Sequence, residues 1–197
     1  MILDIWIATT NLGKIKEMQR ILNDFTVYST KDLPVYCAPK EDGHSFLENA
    51  KIKAKSLRGL KKDCWIMADD SGLEIEGLGN LPGVHSARYA GEKASDIENS
   101  SKALKMLSLK NPENRKARFV CSLFVLTPDN SELKFEGTCE GNISKTMRGR
   151  DGFGYDNIFI PKGEEKTLAE LGPAFKNKIS HRFKALMKFK DFLQEKK

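Results

Sequence analysis

An α/β fold with a mixed sheet is what this sequence predicts, and three observations carry the prediction. Strand-like and helix-like segments alternate through the first half of the chain. Two strand-like segments then follow one another, with only a short turn between them. No internal repeat, low-complexity stretch or linker interrupts them, so residues 1–197 are expected to form a single domain.

Each element has a local reason. Ile2 to Ala8 places Leu3, Ile5 and Ile7 among mostly apolar neighbours, the pattern of a buried strand. Asn11 is then an N-cap candidate, and Ile15, Met18, Ile21, Leu22 and Phe25 follow at helical spacing. Ser45-Phe46-Leu47-Glu48 is a capping box that opens a helix to about Leu60, with Ala50, Ala54, Leu57 and Leu60 as its buried stripe. Trp65 to Ala68 predicts a short strand ending in Asp69-Asp70-Ser71-Gly72, after which Leu73 and Ile75 alternate with Glu74 and Glu76. Gly77 to Gly83 is rich in glycine and reads as a loop. A second capping box, Ser95-Asp96-Ile97-Glu98, opens a helix to about Leu107. Arg118 to Thr127 and Glu132 to Ser144 are the consecutive strands, turned at Pro128-Asp129-Asn130. Arg148 to Asp156 is a glycine-rich loop, and Ser180 caps a terminal helix carrying Phe183, Leu186, Met187 and Phe192.

Composition narrows the function classes. Apolar residues make up 40% of the chain, enough to offset the ordering entropy that leaves polar chains disordered. No apolar run approaches the roughly 20 residues of a membrane-spanning helix. The start, MILDIWIATTN, has Asp4 inside its apolar stretch and no basic lead, so a signal peptide is not expected. The four cysteines form no C-x-x-C pair, and Cys64 and Cys121 lie in or beside apolar segments. Packed thiols in a reduced, cytoplasmic compartment are expected. Lys plus Arg is 33 against 27 for Asp plus Glu, a net charge of +6 that suits a polyanion, either a nucleic acid or a nucleotide.

Four segments carry residues suited to chemistry. Thr9-Thr10-Asn11-Leu12-Gly13-Lys14 joins a strand to a helix start, where free N–H groups and the helix dipole favour anions. The same segment also reads as an ordinary capped turn, and it lacks the P-loop pattern. Asp69-Asp70-Ser71-Gly72 holds adjacent carboxylates that face opposite sides of a strand. With Glu41 they offer oxygen ligands for Mg²⁺, or they are turn acids. Gly149 to Asp156 sets Phe153 between glycines, where it either stacks on a base or folds into the core. Lys176, Ser180, His181 and Arg182 supply hydrogen-bond donors at the start of the last helix. The three histidines show no zinc spacing.

Taken in order, ATTNLGK, SFLENAKIKA, ADDSGLEI, LPGVHSARYAG, GFGYDNIF and KNKISHR closely resemble the inosine triphosphate pyrophosphatase family over residues 8 to 182. The resemblance implies an elongated two-lobed α/β fold, with a long mixed sheet flanked by helices and an active-site cleft between the lobes. It implies a homodimeric, Mg²⁺-dependent enzyme that hydrolyses ITP, dITP and XTP to the monophosphate and pyrophosphate. Carried over residue by residue, Thr9 to Lys14 and Lys53 would grip phosphate, and Asp70 would activate water. Asp70, Asp69 and Glu41 would hold Mg²⁺. Ser71 would touch substrate, Phe153, Gly154, Tyr155 and Asp156 would form the base platform, and Lys176, His181 and Arg182 would read the base. The sequence departs from the family pattern at Thr10, where glycine is common, at Asp151, which replaces a glycine, and at Asn157, which replaces a proline. Partners expected are purine nucleoside triphosphates and a second copy of the chain, with no nucleic acid and no membrane. A related pyrophosphatase with another base preference is the nearest alternative. A nucleic-acid-binding module using the basic terminal helix is a more distant one.

Overall fold

The computed structural model describes residues 3–195, so Ile2, expected to open the first strand, lies outside the described residues. In chain order the elements are β1 (Asp4–Ile7), α1 (Leu12–Ile21), β2 (Thr26–Ser29), α2 (Phe46–Arg58), β3 (Trp65–Ile75) and β4 (Leu81–Pro82). They continue with α3 (Asp96–Lys110), β5 (Lys116–Leu126), β6 (Glu132–Ile143), β7 (Phe159–Pro161), α4 (Leu168–Ile179) and α5 (His181–Glu195). The strands form one sheet in the order β2-β1-β3-β5-β6-β7, with β4 beside β3. Pairing is parallel from β1 to both β2 and β3 and antiparallel from β6 to β7 and from β3 to β4, so the sheet is mixed as expected.

The chain divides into two compact units. The first comprises Met1–Asp70, Cys121–Gly137 and Arg182–Lys197, and the second Ser71–Val120 and Thr138–His181. In the first unit, side-chain alternation sorts the core onto two faces. Ile5 and Ile7 of β1, Met67 of β3, and Leu123 and Val125 of β5 pack with Ile15 and Met18 of α1 and with Leu186 and Phe189 of α5. Ala8, Ile66, Ala68, Phe124 and Leu126 face the other way, against Ala50, Ala54 and Leu57 of α2. Strands buried on both faces read as continuous apolar runs, which is why Phe119 to Leu126 of β5 is apolar but for Ser122. The second unit buries Leu73 and Ile75 of β3, Ala103 and Leu107 of α3, Phe119 of β5, Ile143 of β6 and Phe159 of β7 in one cluster.

Both serines cap their helices where expected, but the box is reciprocal only at Ser95; Glu48 accepts instead from the His44 N–H at 2.7 Å. Ser45 accepts from the Glu48 N–H and Ser95 from the Glu98 N–H. The largest difference from expectation is β3. It runs without a break from Trp65 to Ile75, so Asp69-Asp70-Ser71-Gly72 lies within a strand rather than in a turn at its end. Its pairing with β1 stops at Met67, opposite Ile7. The acidic pair therefore emerges just where β1 gives way to its turn. β2, β7 and α4 were not expected from sequence. The first two are only four and three residues long. Helix α4 is kinked at Gly172, which has φ +80° and precedes Pro173. Lys176, expected in a loop, sits in that helix.

Candidate active site

The alternation that sorts the core of the first unit also sorts the charges. Asp69 follows the face of Met67, and Asp70 the face of Ala68. Asp69 is fully buried; its Oδ2 lies 2.9 Å from Lys14 Nζ of α1, 2.9 Å from Arg182 Nη2 and 3.2 Å from Arg182 Nε of α5. Arg182 also donates to Glu17 of α1. Asp70 turns to α2. Its Oδ1 accepts from Lys53 Nζ at 2.8 Å, and its Oδ2 from Asn49 Nδ2 at 3.3 Å. Asn49 and Lys53 are one helical turn apart and so share a face. Lys53 Nζ donates also to Glu41 Oε2 at 3.0 Å, so Glu41 and Asp70 converge on one cationic point.

Protonation follows from this geometry. Burial alone would push the Asp69 carboxyl up. The charges of Lys14, Arg182 and Lys53 outweigh it and hold the group well below the usual carboxylate range. Burial acts to lower the Lys53 amine, but Asp70, Asp69 and Glu41 together raise it, so it stays charged. Arg182 is raised as well: Asp69 and Glu17 overcome its desolvation. Cys121, buried behind the same network, has its thiol pushed up to about 12 and is inert at neutral pH.

The turn after β1 is a capped helix start. Asn11 donates its N–H to Thr9 Oγ1 at 3.2 Å, and its side chain accepts the Lys14 N–H at 3.1 Å. The Thr9 carbonyl accepts from Thr30 Oγ1 at 2.8 Å, tying the turn to the end of β2. Thr10, Asn11 and Leu12 are exposed, with Gly13 and Lys14 half-buried in the first turn of α1. The turn is thus a capped helix start whose first residues lie at the surface.

In the second unit the glycine-rich loop closes around Asp156. The buried Asp156 Oδ2 accepts from the Phe153 N–H at 3.0 Å and from Lys176 Nζ of α4 at 2.6 Å. Lys176 Nζ also stands 4.0 Å from the centre of the Phe153 ring, a cation–π contact. Gly152 is required here. It has φ +86°, and a Cβ on it would collide with the Asp156 carboxylate. Tyr155 is buried and donates to the Ser86 carbonyl at 2.8 Å, and desolvation raises its phenol. His181 is buried with its ring stacked on Phe119, centroids 4.8 Å apart.

The structure therefore gathers Lys14, Glu41, Lys53, Asp69, Asp70 and Arg182 in the first unit. It gathers Phe153, Gly154, Tyr155, Asp156, Lys176 and His181 in the second, where Ser71 is half-buried in β3. Arg182, at the start of α5 in the first unit, pairs with Asp69 and Glu17. Sequence reading missed Glu17 and Asn49. An asparagine beside the Ala50 and Ala54 stripe was the available signal for the second. Glu17 lies 165 positions from Arg182, and nothing local announced it.

Glu41 and Asp70 are a donor set suited to Mg²⁺, which takes one or two carboxylates and completes its shell with water and substrate phosphate. Among the described residues, no group of three or more His, Cys, Asp or Glu is placed to hold a metal ion. A two-carboxylate site of this kind would not form such a group.

The geometry is that of a polyanion-binding enzyme site, and comparison with known proteins supplies the family. The model of the Ham1 family matches residues 5–192, and the chain belongs to that family. It is 48% identical over 195 residues to a dITP/XTP pyrophosphatase of Bdellovibrio bacteriovorus, covering 98% of each chain. It is 46% identical over 191 residues to the dITP/XTP pyrophosphatase of Bacillus subtilis, covering 95% of this chain and 96% of the relative. Among solved structures, a HAM1 protein from Coxiella burnetii superposes with a TM-score of 0.87 at 38% identity, over 98% of this chain and all of that one. The Staphylococcus aureus Ham1 protein gives 0.85 at 40% identity with the same coverage.

Proposed function

We propose that this protein hydrolyses non-standard purine nucleoside triphosphates, dITP, ITP and XTP, to the monophosphate and pyrophosphate. The observation that carries the reaction is the convergence of Asp70 and Glu41 on the Lys53 amine, beside the Asp69 network and a capped helix start. The names of the relatives supply the substrate class. The two units work as one domain, as a homodimer in the cytoplasm. Among the described residues, no helix is long and apolar enough to cross a membrane.

Asp70 orients, and takes a proton from, the water that attacks the α-phosphorus. The α–β phosphoanhydride bond breaks, and pyrophosphate leaves with its charge met by Lys14 and Lys53. Within Thr9 to Lys14, the N–H groups of Thr10, Leu12 and Gly13 hold the phosphate chain, while Thr9 and Asn11 shape the turn by accepting the Asn11 and Lys14 N–H groups. Glu41 and Asp70 would hold Mg²⁺, which would supply charge neutralisation on the phosphate oxygens; Asp69, on the other face of β3, binds Lys14 and Arg182. Ser71 touches the substrate next to Asp70. Phe153 stacks on the base, and Lys176 and His181 donate to its 6-oxo oxygen. Adenine carries a donor at that position and leaves those donors unpaired, a strong basis for rejection. Arg182 reaches a base only by giving up bonds to Asp69 or Glu17.

The test is a panel of ITP, dITP, XTP, GTP, ATP, UTP and dTTP with Mg²⁺, scoring pyrophosphate and orthophosphate separately. Pyrophosphate from the first three, with little from ATP or GTP, is expected. Orthophosphate release would refute the bond assignment. Pyrophosphate only from other bases would move the base pocket. Salt-sensitive binding of DNA or RNA with no product would revive the nucleic-acid module; against that module, α5 is docked through Ala185, Leu186 and Phe189.

A further inference from the structure

The loop that carries Phe153 is gripped from outside by a helix to which no role has been given. Asp96 and Ser100 are one turn apart on α3 and share a face. Asp96 Oδ2 accepts the Gly154 N–H at 2.7 Å. Buried Ser100 donates its Oγ proton to Asn157 Oδ1 at 2.8 Å, with the Gly154 carbonyl 3.5 Å away. One helix face thus addresses both polar groups of the residue after Phe153, and the side chain three residues further on. Gly154 has φ +63°, so its own conformation does not confine the loop. A cavity of about 390 Å³ lies here, lined by Asp96 and Ile97 of α3 and by Phe153, Gly154, Asp156 and Asn157 of the loop. That volume is within the range of small-molecule sites. Asn157 is also where this sequence departs from the proline of the family pattern. A proline there has no side-chain oxygen to accept from Ser100.

We infer that Asp96 and Ser100 are positioning residues: they hold the Phe153–Asn157 loop in its base-stacking conformation and so set affinity for the purine base. The inference rests on the proposed base site. Neither residue touches the phosphate groups or the reacting water, so their loss appears in KM and not in kcat. Losing a net hydrogen bond of ordinary strength from the loop corresponds to about fivefold in affinity.

The experiment uses the full chain and four variants: D96A/S100A, D96A, D96N and F153A. It reads pyrophosphate release from ITP and deuterium exchange over residues 149–157. In D96A/S100A, KM for ITP should rise about fivefold or more with kcat within about twofold, and exchange over the loop should quicken. D96N retains an acceptor oxygen for the Gly154 N–H, so it should restore KM to within about twofold of the parent, while D96A does not. A role confined to general stability would lower Tm and kcat alike without this split, and that outcome overturns the inference. So does a D96N variant as impaired as D96A, or unchanged exchange in the double variant. If F153A raises KM and the double variant does not, the clamp is overturned and the base site stands. If neither raises KM, the base site has failed and the inference falls with it.

Discussion

The charged centres of the two units are built on opposite principles. In the first, seven charged side chains from α1, the loop before α2, α2, β3 and α5 interlock, with Asp69 bound by two cations and Lys53 by two carboxylates. In the second, a single buried ion pair, Asp156 with Lys176, anchors a loop whose business end is an aromatic ring. Regular elements fix the first set and hydrogen bonds to a glycine-rich loop fix the second. Under the proposed function the first centre meets phosphate charge, which needs cations held at defined points, and the second admits one base and refuses another, which needs a surface and a few oriented donors.

Substitutions sharpen that contrast, beginning with the most damaging. D70N keeps the shape but loses the base, so turnover of ITP should fall by about 10²–10⁴ while nucleotide binding, measured by calorimetry, changes little. Near-normal kcat would take Asp70 out of the mechanism. R182A leaves Asp69 and Glu17 buried without their guanidinium and should cost about 3–5 kcal/mol of stability, read as a lowered Tm. F153A should raise KM for ITP about tenfold through lost stacking, with a much smaller change in kcat. An equal fall in kcat would mean that the two centres are not divided as described.

Acid titration compares the units in another way. The Asp69 carboxyl is depressed in the folded chain, so its contribution to stability is complete above the unfolded value near 4 and is lost as pH falls below it. R182A removes part of that depression and should move the midpoint of acid unfolding to higher pH. An unchanged midpoint would show that Lys14 alone suffices. The smallest effect belongs to the second unit. Y155F deletes one hydrogen bond to the Ser86 carbonyl and should cost about 1 kcal/mol in a denaturant titration.

How much of this was legible in the sequence depended on the range of the interactions. The caps at Ser45, Ser95 and Asn11 are local and legible in sequence, the reciprocal box forming at Ser95 alone of the two expected. The capping box at Thr167 was equally local, but Gly172 and Pro173 mask the helix behind it. The acidic pair looked like turn chemistry because Asp-Asp-Ser-Gly suits a turn. In the folded chain it continues the β3 strand from Trp65 to Ile75, and that context is tertiary. The partition of Asp69 and Asp70 to opposite faces followed from strand geometry alone. Their partners did not: Arg182 lies 113 positions from Asp69. Lys176, His181 and Arg182 are close in sequence, but their contacts in the folded chain, His181 on Phe119 and Arg182 on Asp69, are long-range and were not legible there.

The adjacency of Asp69 and Asp70 also bears on how such a chain can evolve. Each acid owes its partner to the parity of its position along β3. Inserting or deleting one residue between Trp65 and Asp69 would exchange the faces, presenting the Lys53 partner to Arg182 and the reverse. Apolar replacements of similar volume in this stretch cost little by comparison. The segment from Trp65 to Ala68 should therefore drift in composition among descendants while its length, and the two acids that follow it, stay constant, and gaps should collect instead in the exposed turns.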